Sequence, residues 1–213
     1  MKAALFVAWL AALSGQEHRI GNAKIETRRP DEFRTLATTM TPAAWIAYTV
    51  AAPPARGFSC CLHGGEECPG CNLEGRRTGS RFSPRNSVNL EPPGRVLVFY
   101  RVANGGIEKI RTFSSDCDID AGGLTVYWLA SVTTQQSLDW LVTLAREESS
   151  GKKRLQSSAV TAIAMHAGPE ALEHLIQMAR RPAQREAART ALMWLARSDD
   201  ARALRFFEEF FSR

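Results

Sequence analysis

Five residues of the stretch CCLHGGEECPGC, namely Cys60, Cys61, His63, Cys68 and Cys71, concentrate most of the chain's capacity for thiol or metal chemistry. Zinc takes four thiolate or imidazole ligands, and this set could supply them. Two features weigh against that reading. Adjacent cysteines such as Cys60 and Cys61 meet one ion poorly, and paired zinc ligands are usually separated by two to four residues. Cys68-Pro69-Gly70-Cys71 sets two thiols at the ends of a Pro-Gly turn, which could also make a redox pair. A thioredoxin-like centre would then open a helix after Cys71, whereas NLEGRRTGSRF follows with two glycines. Disulfides are the favoured expectation: Cys68 with Cys71, and Cys60 or Cys61 with the distant Cys117, stitching a long loop to the sheet. The cysteines number five, so one is left over or joins another chain. Metal binding and thiol redox chemistry centred on residues 60–71 remain as alternatives.

Other candidates are weaker. Asp116, Asp118 and Asp120 alternate as calcium ligands do, but the EF-hand places glycine sixth and glutamate twelfth. Here those positions hold Ala121 and Tyr127, so a polar turn with Asx-type bonds from Asp116 and Asp118 is expected. His166 and His174 are separated by Gly168-Pro169 and lack the i, i+4 spacing of a helical metal pair, which makes them packing or surface histidines. Arg76, Arg77, Arg81 and Arg85 share a Gly/Ser-rich stretch with Phe82 and read as a solvated loop; no nucleic acid is expected as a partner. There is no Gly-x-Ser-x-Gly elbow, phosphate loop, dinucleotide fingerprint or His-Glu-x-x-His, so no catalytic residue and no cofactor is assigned.

The elements that must carry these residues fall into two halves. The chain has 213 residues, 45% apolar and 23% charged, which suits a globular protein with a real core; its net charge is +5. Residues 1–15 begin MKAALFVAWL, with one early cation and an apolar run too short to span a bilayer. They suit the apolar region of a secretory signal peptide, so a secreted or periplasmic product without a membrane span is expected.

Residues 16–130 read as β-rich. AKIETRR predicts a half-buried strand with Ile25 and Thr27 on one face, and AAWIAYTV sets Ile46, Tyr48 and Val50 on one face. RVLVFYRV and IEKIRTF, joined by Asn104-Gly105-Gly106, predict a hairpin, and LTVYWL a further strand. Residues 52–94 carry Pro, Gly, Cys, Arg and Ser without a period and read as a long loop.

From Ser137, read as an N-cap, the period becomes helical in five segments punctuated by Gly168-Pro169 and Pro182. SLDWLVTLAR overlies ALEHLIQMAR at a shift of 34 residues, and AVTAIAMHA overlies ARTALMWLA. Helix pairs recurring at roughly 30 residues mark a helical solenoid. AARTALMWLARSDDARALRFFEEFF resembles the HEAT-like (armadillo-type) repeat of bacterial proteins, an Ala-rich helix followed by an Asp-containing turn. The resemblance covers residues 131–213, about two and a half helix pairs, and implies an α+β chain ending in a short solenoid. It further implies a docking surface for a protein partner, hence an exported, non-enzymatic interaction module. Phe206, Phe207, Phe210 and Phe211 on the last helix are the interaction candidates. They and the odd cysteine also permit self-association into a structural envelope protein.

Overall fold

The computed structural model describes residues 20–53, 71–74, 94–115, 117–147, 153–181 and 183–212, with the side chain of Cys71 excepted. The strands are β1 (Ile20–Gly21), β2 (Lys24–Arg28), β3 (Ala44–Ala51), β4 (Cys71–Asn72), β5 (Arg95–Ala103), β6 (Gly106–Ser114), β7 (Ile119–Asp120) and β8 (Thr125–Leu129). The helices are α1 (Phe33–Thr39), α2 (Thr134–Arg146), α3 (Lys153–Ala164), α4 (Pro169–Ala179), α5 (Arg185–Leu195) and α6 (Ala201–Phe211). The fold is mixed α+β.

Five strands form the main sheet in the order β2-β8-β3-β5-β6, with β3 and β6 antiparallel to β5 and with β8 parallel to both β2 and β3. Alternation decides what each face meets. Ile46, Tyr48 and Val50 of β3 join Val96, Val98, Tyr100 and Val102 of β5 in a core shared with the helices. Their neighbours Trp45, Ala47, Leu97 and Phe99 point the other way, into a second core with Leu73, Cys117, Ile119 and Ala121. Short parallel strands in the order β1-β7-β4 lie on that second side. Burial on both faces is why RVLVFY is almost continuously apolar, where a one-faced strand would alternate with polar residues.

The predicted hairpin forms. Asn104 and Gly105 both take positive φ, 54 being the like value at Asn22 and 52° and 72° those of the hairpin itself, as a two-residue primed turn requires. A Cβ on Gly105 would lie 3.0 Å from the Thr38 carbonyl oxygen. The tip is held by Gly105 N–H donating to Met40 O at 2.9 Å and Asn104 N–H to Thr41 O at 3.2 Å.

Three expectations require correction. Ile25 and Thr27 are exposed while Glu26 and Arg28 are half-buried. Ile25 is in register with Val126 and so shares its face, but β2 is the edge strand and the second core does not extend over it. The helical half begins earlier than Ser137: the N-cap is Thr133, whose hydroxyl accepts from Gln136 N–H while Gln136 Oε1 accepts from Thr133 N–H. Ser137 sits inside α2, fully buried. Helix α1, between β2 and β3, was not anticipated; it buries Phe33, Leu36 and Ala37 against the sheet.

The five helical segments become α2 to α6. Gly168, at φ 108°, precedes Pro169 at the first position of α4, and Asp200 caps α6 by accepting from Arg202 N–H at 2.9 Å. The residues equated by the 34-residue shift are buried in both copies: Leu138, Leu141 and Leu144 in α2, Leu172, Leu175 and Met178 in α4. Helix α2 packs on α3, α4 on α5, α3 on both α4 and α5, and α6 on α4. The same apolar core runs from the strands into these helices, with Phe33 stacked on Trp140 at 4.0 Å between ring centroids. Among the described residues, no helix is long and apolar enough to cross a membrane.

Candidate functional site

The residues singled out in the sequence are dispersed. Cys60, Cys61, His63 and Cys68 lie outside the described residues, as do Arg76, Arg77, Arg81, Arg85 and Asp116. Cys71 begins β4, in parallel register with Ile119 of β7, and Leu73 N–H donates to Asp120 O at 2.9 Å. Cys117, two residues before β7, is buried in the second core and has an interaction partner. Backbone pairing thus brings the C-terminal end of the cysteine-rich stretch to the segment that carries Cys117. Among the described residues no group of three or more His, Cys, Asp or Glu is placed to hold a metal ion.

The acidic run behaves as a turn, but its working residue is Asp120. Buried at the end of β7, Asp120 accepts from Gly122 N–H at 2.9 Å and from the Asn22 side-chain amide at 3.0 Å through Oδ1. Its second oxygen accepts from the Asn72 amide at 3.4 Å. One carboxylate therefore ties together the connections leaving β1, β4 and β7, an Asx-type role expected of Asp116 and Asp118.

A chain of buried polar side chains lies between sheet and helices, and the sequence did not link its members. Tyr100 of β5, Tyr48 of β3, Ser137 of α2 and His166 after α3 form one chain of hydrogen bonds. The Tyr100 and Tyr48 hydroxyls are 2.8 Å apart, Tyr48 to Ser137 Oγ is 2.6 Å, and Ser137 Oγ to His166 Nε2 is 2.7 Å. His166 Nδ1 lies 2.7 Å from the Ala162 carbonyl oxygen. That carbonyl can only accept, so Nδ1 carries the hydrogen and Nε2 presents a lone pair. Direction then propagates along the chain: Ser137 donates to His166, Tyr48 to Ser137, and Tyr100 to Tyr48.

Burial sets the protonation states. Desolvation lowers His166 from 6.5 to about 4, so the ring is neutral at ordinary pH, although the bond to Ala162 O favours the charged form. The same cause holds both phenols well above their ordinary value. A serine beside an imidazole is the start of a nucleophilic pair, but here Ser137 is 0% and His166 2% exposed, and Ser137 Oγ also accepts from Tyr48. The arrangement performs a fixing role, joining two strands to two helical segments through groups that could not be buried singly. A signal for it existed: Tyr48 and Tyr100 fall on the inward faces of their strands, and a buried phenol needs a partner.

The four phenylalanines divide. Phe206 is buried on the helical core and Phe207 is half-buried. Phe210 is 43% and Phe211 78% exposed, and Leu204 about two turns earlier is 63% exposed. The rings form a local ladder, Phe207 on Phe211 at 6.0 Å and Phe206 beside Phe210 at 5.6 Å. A salt bridge from Arg180 to Glu209 at 2.8 Å fastens α6 to the end of α4. No protein-family model, no curated protein and no solved structure matches the chain.

Proposed function

We propose that this chain is an exported, non-enzymatic interaction protein that uses the end of a HEAT-like helical array to hold a protein partner. The observation that carries the reading is the apolar end of α6, where Leu204, Phe210 and Phe211 stand in water on a helix whose other side is buried by Ala203 and Phe206. Large apolar side chains clustered at the last helix of a stack have the chemistry of an interface core, with aromatic anchors. The repeated buried positions of α2 and α4 support the array, as repeats of one helical unit would.

Export fits the cysteine usage. We place Cys117 in a disulfide with a cysteine of the 60–71 stretch, supported by its burial, its having an interaction partner and the pairing of β4 with β7. The metal and redox alternatives rest on Cys60, Cys61, His63, Cys68 and Cys71, whose side chains lie outside the described residues.

The test is quantitative capture from envelope extract with the full chain and with a Phe210→Ser/Phe211→Ser variant, alongside sedimentation of both. A protein retained by the wild-type chain and lost with the variant supports the reading. Equal capture by both overturns it. Concentration-dependent dimerisation that the variant abolishes would instead favour self-assembly through the same end, the second reading that these exposed rings permit.

A further inference from the structure

At the opposite kind of surface, a sheet edge, an open cleft of about 850 Å³ runs between β6 and the start of α3. Its strand side is lined by the consecutive residues Ile107 to Arg111. In a strand, side chains alternate between faces, so five consecutive residues line one cleft only when the strand is presented edge-on. Strand β6 is the last of the main sheet, and among the described residues no strand pairs with its outer side. Its outward N–H and C=O groups therefore face the cleft.

The charge there is one-sided. Lys109, Arg111, Lys153 and Arg154 line the cleft together with Glu108 and Glu186. Both acids are already matched by arginines that do not line it: Glu108 by Arg101, and Glu186 by Arg189 at 3.2 Å. Arg101 is in turn held by Glu74 at 2.9 Å. None of the four cations has an ion pair among the described residues. Arg111 is half-buried, and that burial works against its charge while Glu74 at a distance supports it. A partly desolvated guanidinium without a carboxylate has the most to gain from an arriving anion.

We propose that the β6–α3 cleft receives an extended acidic segment of a partner protein, which adds a strand to the edge of β6 and sets its carboxylates against Lys109, Arg111, Lys153 and Arg154. Backbone pairing to β6 supplies affinity that does not depend on sequence, and the four cations supply the preference for acidic side chains. Charged edges are also a common guard against sheet-to-sheet association. A guard works by leaving charges of the strand's own in solvent, whereas here the strand's one acid, Glu108, is matched by Arg101 of the neighbouring strand and a helix adds two further cations.

The site is independent of the α6 end. It is tested by fluorescence anisotropy of a labelled nine-residue oligoglutamate peptide, which carries carboxylates on both faces when extended, added to the full chain. The result expected is saturable binding that weakens with salt, together with slowed amide hydrogen exchange in β6. An Arg111→Glu/Arg154→Glu variant should weaken binding at least tenfold and a Lys153→Glu variant by a smaller factor, each with an unchanged circular dichroism spectrum. A peptide N-methylated at alternate residues should lose at least tenfold against the wild-type chain. No saturable binding, equal affinity for the N-methylated peptide, or displacement by inorganic pyrophosphate at equal charge would overturn the proposal. Unchanged binding by the folded variants would do so too. The Phe210→Ser/Phe211→Ser variant should bind the peptide as the wild type does, so that failure here and failure at α6 are read separately.

Discussion

Replacing His166 by glutamine should remove a pH dependence of stability that belongs to one buried imidazole. In the unfolded chain His166 takes a proton near 6.5; in the fold it does so only near 4. Unfolding therefore binds a proton throughout that window, and acid favours the unfolded state. The sign follows: the stabilisation is complete above pH 6.5 and is lost as pH falls towards 4. The cost of retaining a neutral ring down to pH 5 is about 2 kcal/mol, and about 3 kcal/mol down to pH 4. The hydrogen-bond chain explains why the fold resists the charge. A proton on Nε2 turns that atom from acceptor to donor, so the Ser137 hydroxyl hydrogen loses its acceptor, in a site that already disfavours charge by burial. Glutamine can meet Ser137 with its amide but does not titrate. Urea unfolding of both proteins from pH 7.5 to pH 5 is the assay, with wild-type minus variant stability as the readout. Taking the difference cancels groups common to both, including His174, which burial and Arg146 also lower. The difference should shrink by about 2 kcal/mol as pH falls to 5. A difference that stays constant, or grows towards acid, would refute both the neutral tautomer and the direction assigned to the chain.

Three further outcomes are expected. Gly105→Ala should destabilise by about 1–2 kcal/mol from its left-handed backbone alone, with the 3.0 Å approach to Thr38 O adding to it, whereas Gly106→Ala, which meets nothing within 4 Å, should be nearly silent; chemical unfolding of the pair measures the contrast. Non-reducing peptide mapping should recover Cys117 joined to a peptide from residues 60–71, and Cys117→Ser should cost about 2–5 kcal/mol. Recovery of Cys117 as an alkylated free thiol would contradict the bridge. Sheet and helices should unfold in one transition, with tryptophan fluorescence and far-ultraviolet circular dichroism coinciding, because Tyr48, Val98 and Tyr100 share a core with Leu138, Leu141 and Ile163.

Local pattern carried the parts of this fold that depend on local physics. Asn104-Gly105 announces its turn because few other pairs accept two left-handed residues, and the helical period of residues 134–211 follows from which side of each helix meets a core. Partner assignment was not legible in the same way. Val126 and Trp128 alternate as any strand would, and nothing local says that β8 lies parallel between β2 and β3. Ile25 shows the limit from the other side: its alternation is real, but whether an apolar position is covered depends on how far the neighbouring layer extends, which is a property of the assembled molecule.

The site was legible only as unmatched needs. A tyrosine on the inward face of a strand requires a hydrogen-bond partner, and both Tyr48 and Tyr100 advertised that need, as did a histidine in the Ala-rich stretch before Gly168. What joined them was hidden by a misplaced helix start. Read as an N-cap, Ser137 spends its hydroxyl on its own helix; moved one turn inside, behind the Thr133 cap, the same hydroxyl is free to bridge Tyr48 and His166. A one-turn error in a boundary thus changed a side chain from local to long-range chemistry. The cysteines pose a different case. The sequence suggested both a local pair, Cys68 with Cys71, and a distant one from Cys60 or Cys61 to Cys117; the described backbone bears on the distant one, through the pairing of Cys71 with Ile119, which draws that stretch towards Cys117. The long-range contact is therefore the one with a structural rationale, and the bridge to Cys117 is the one whose removal should be felt in the second core.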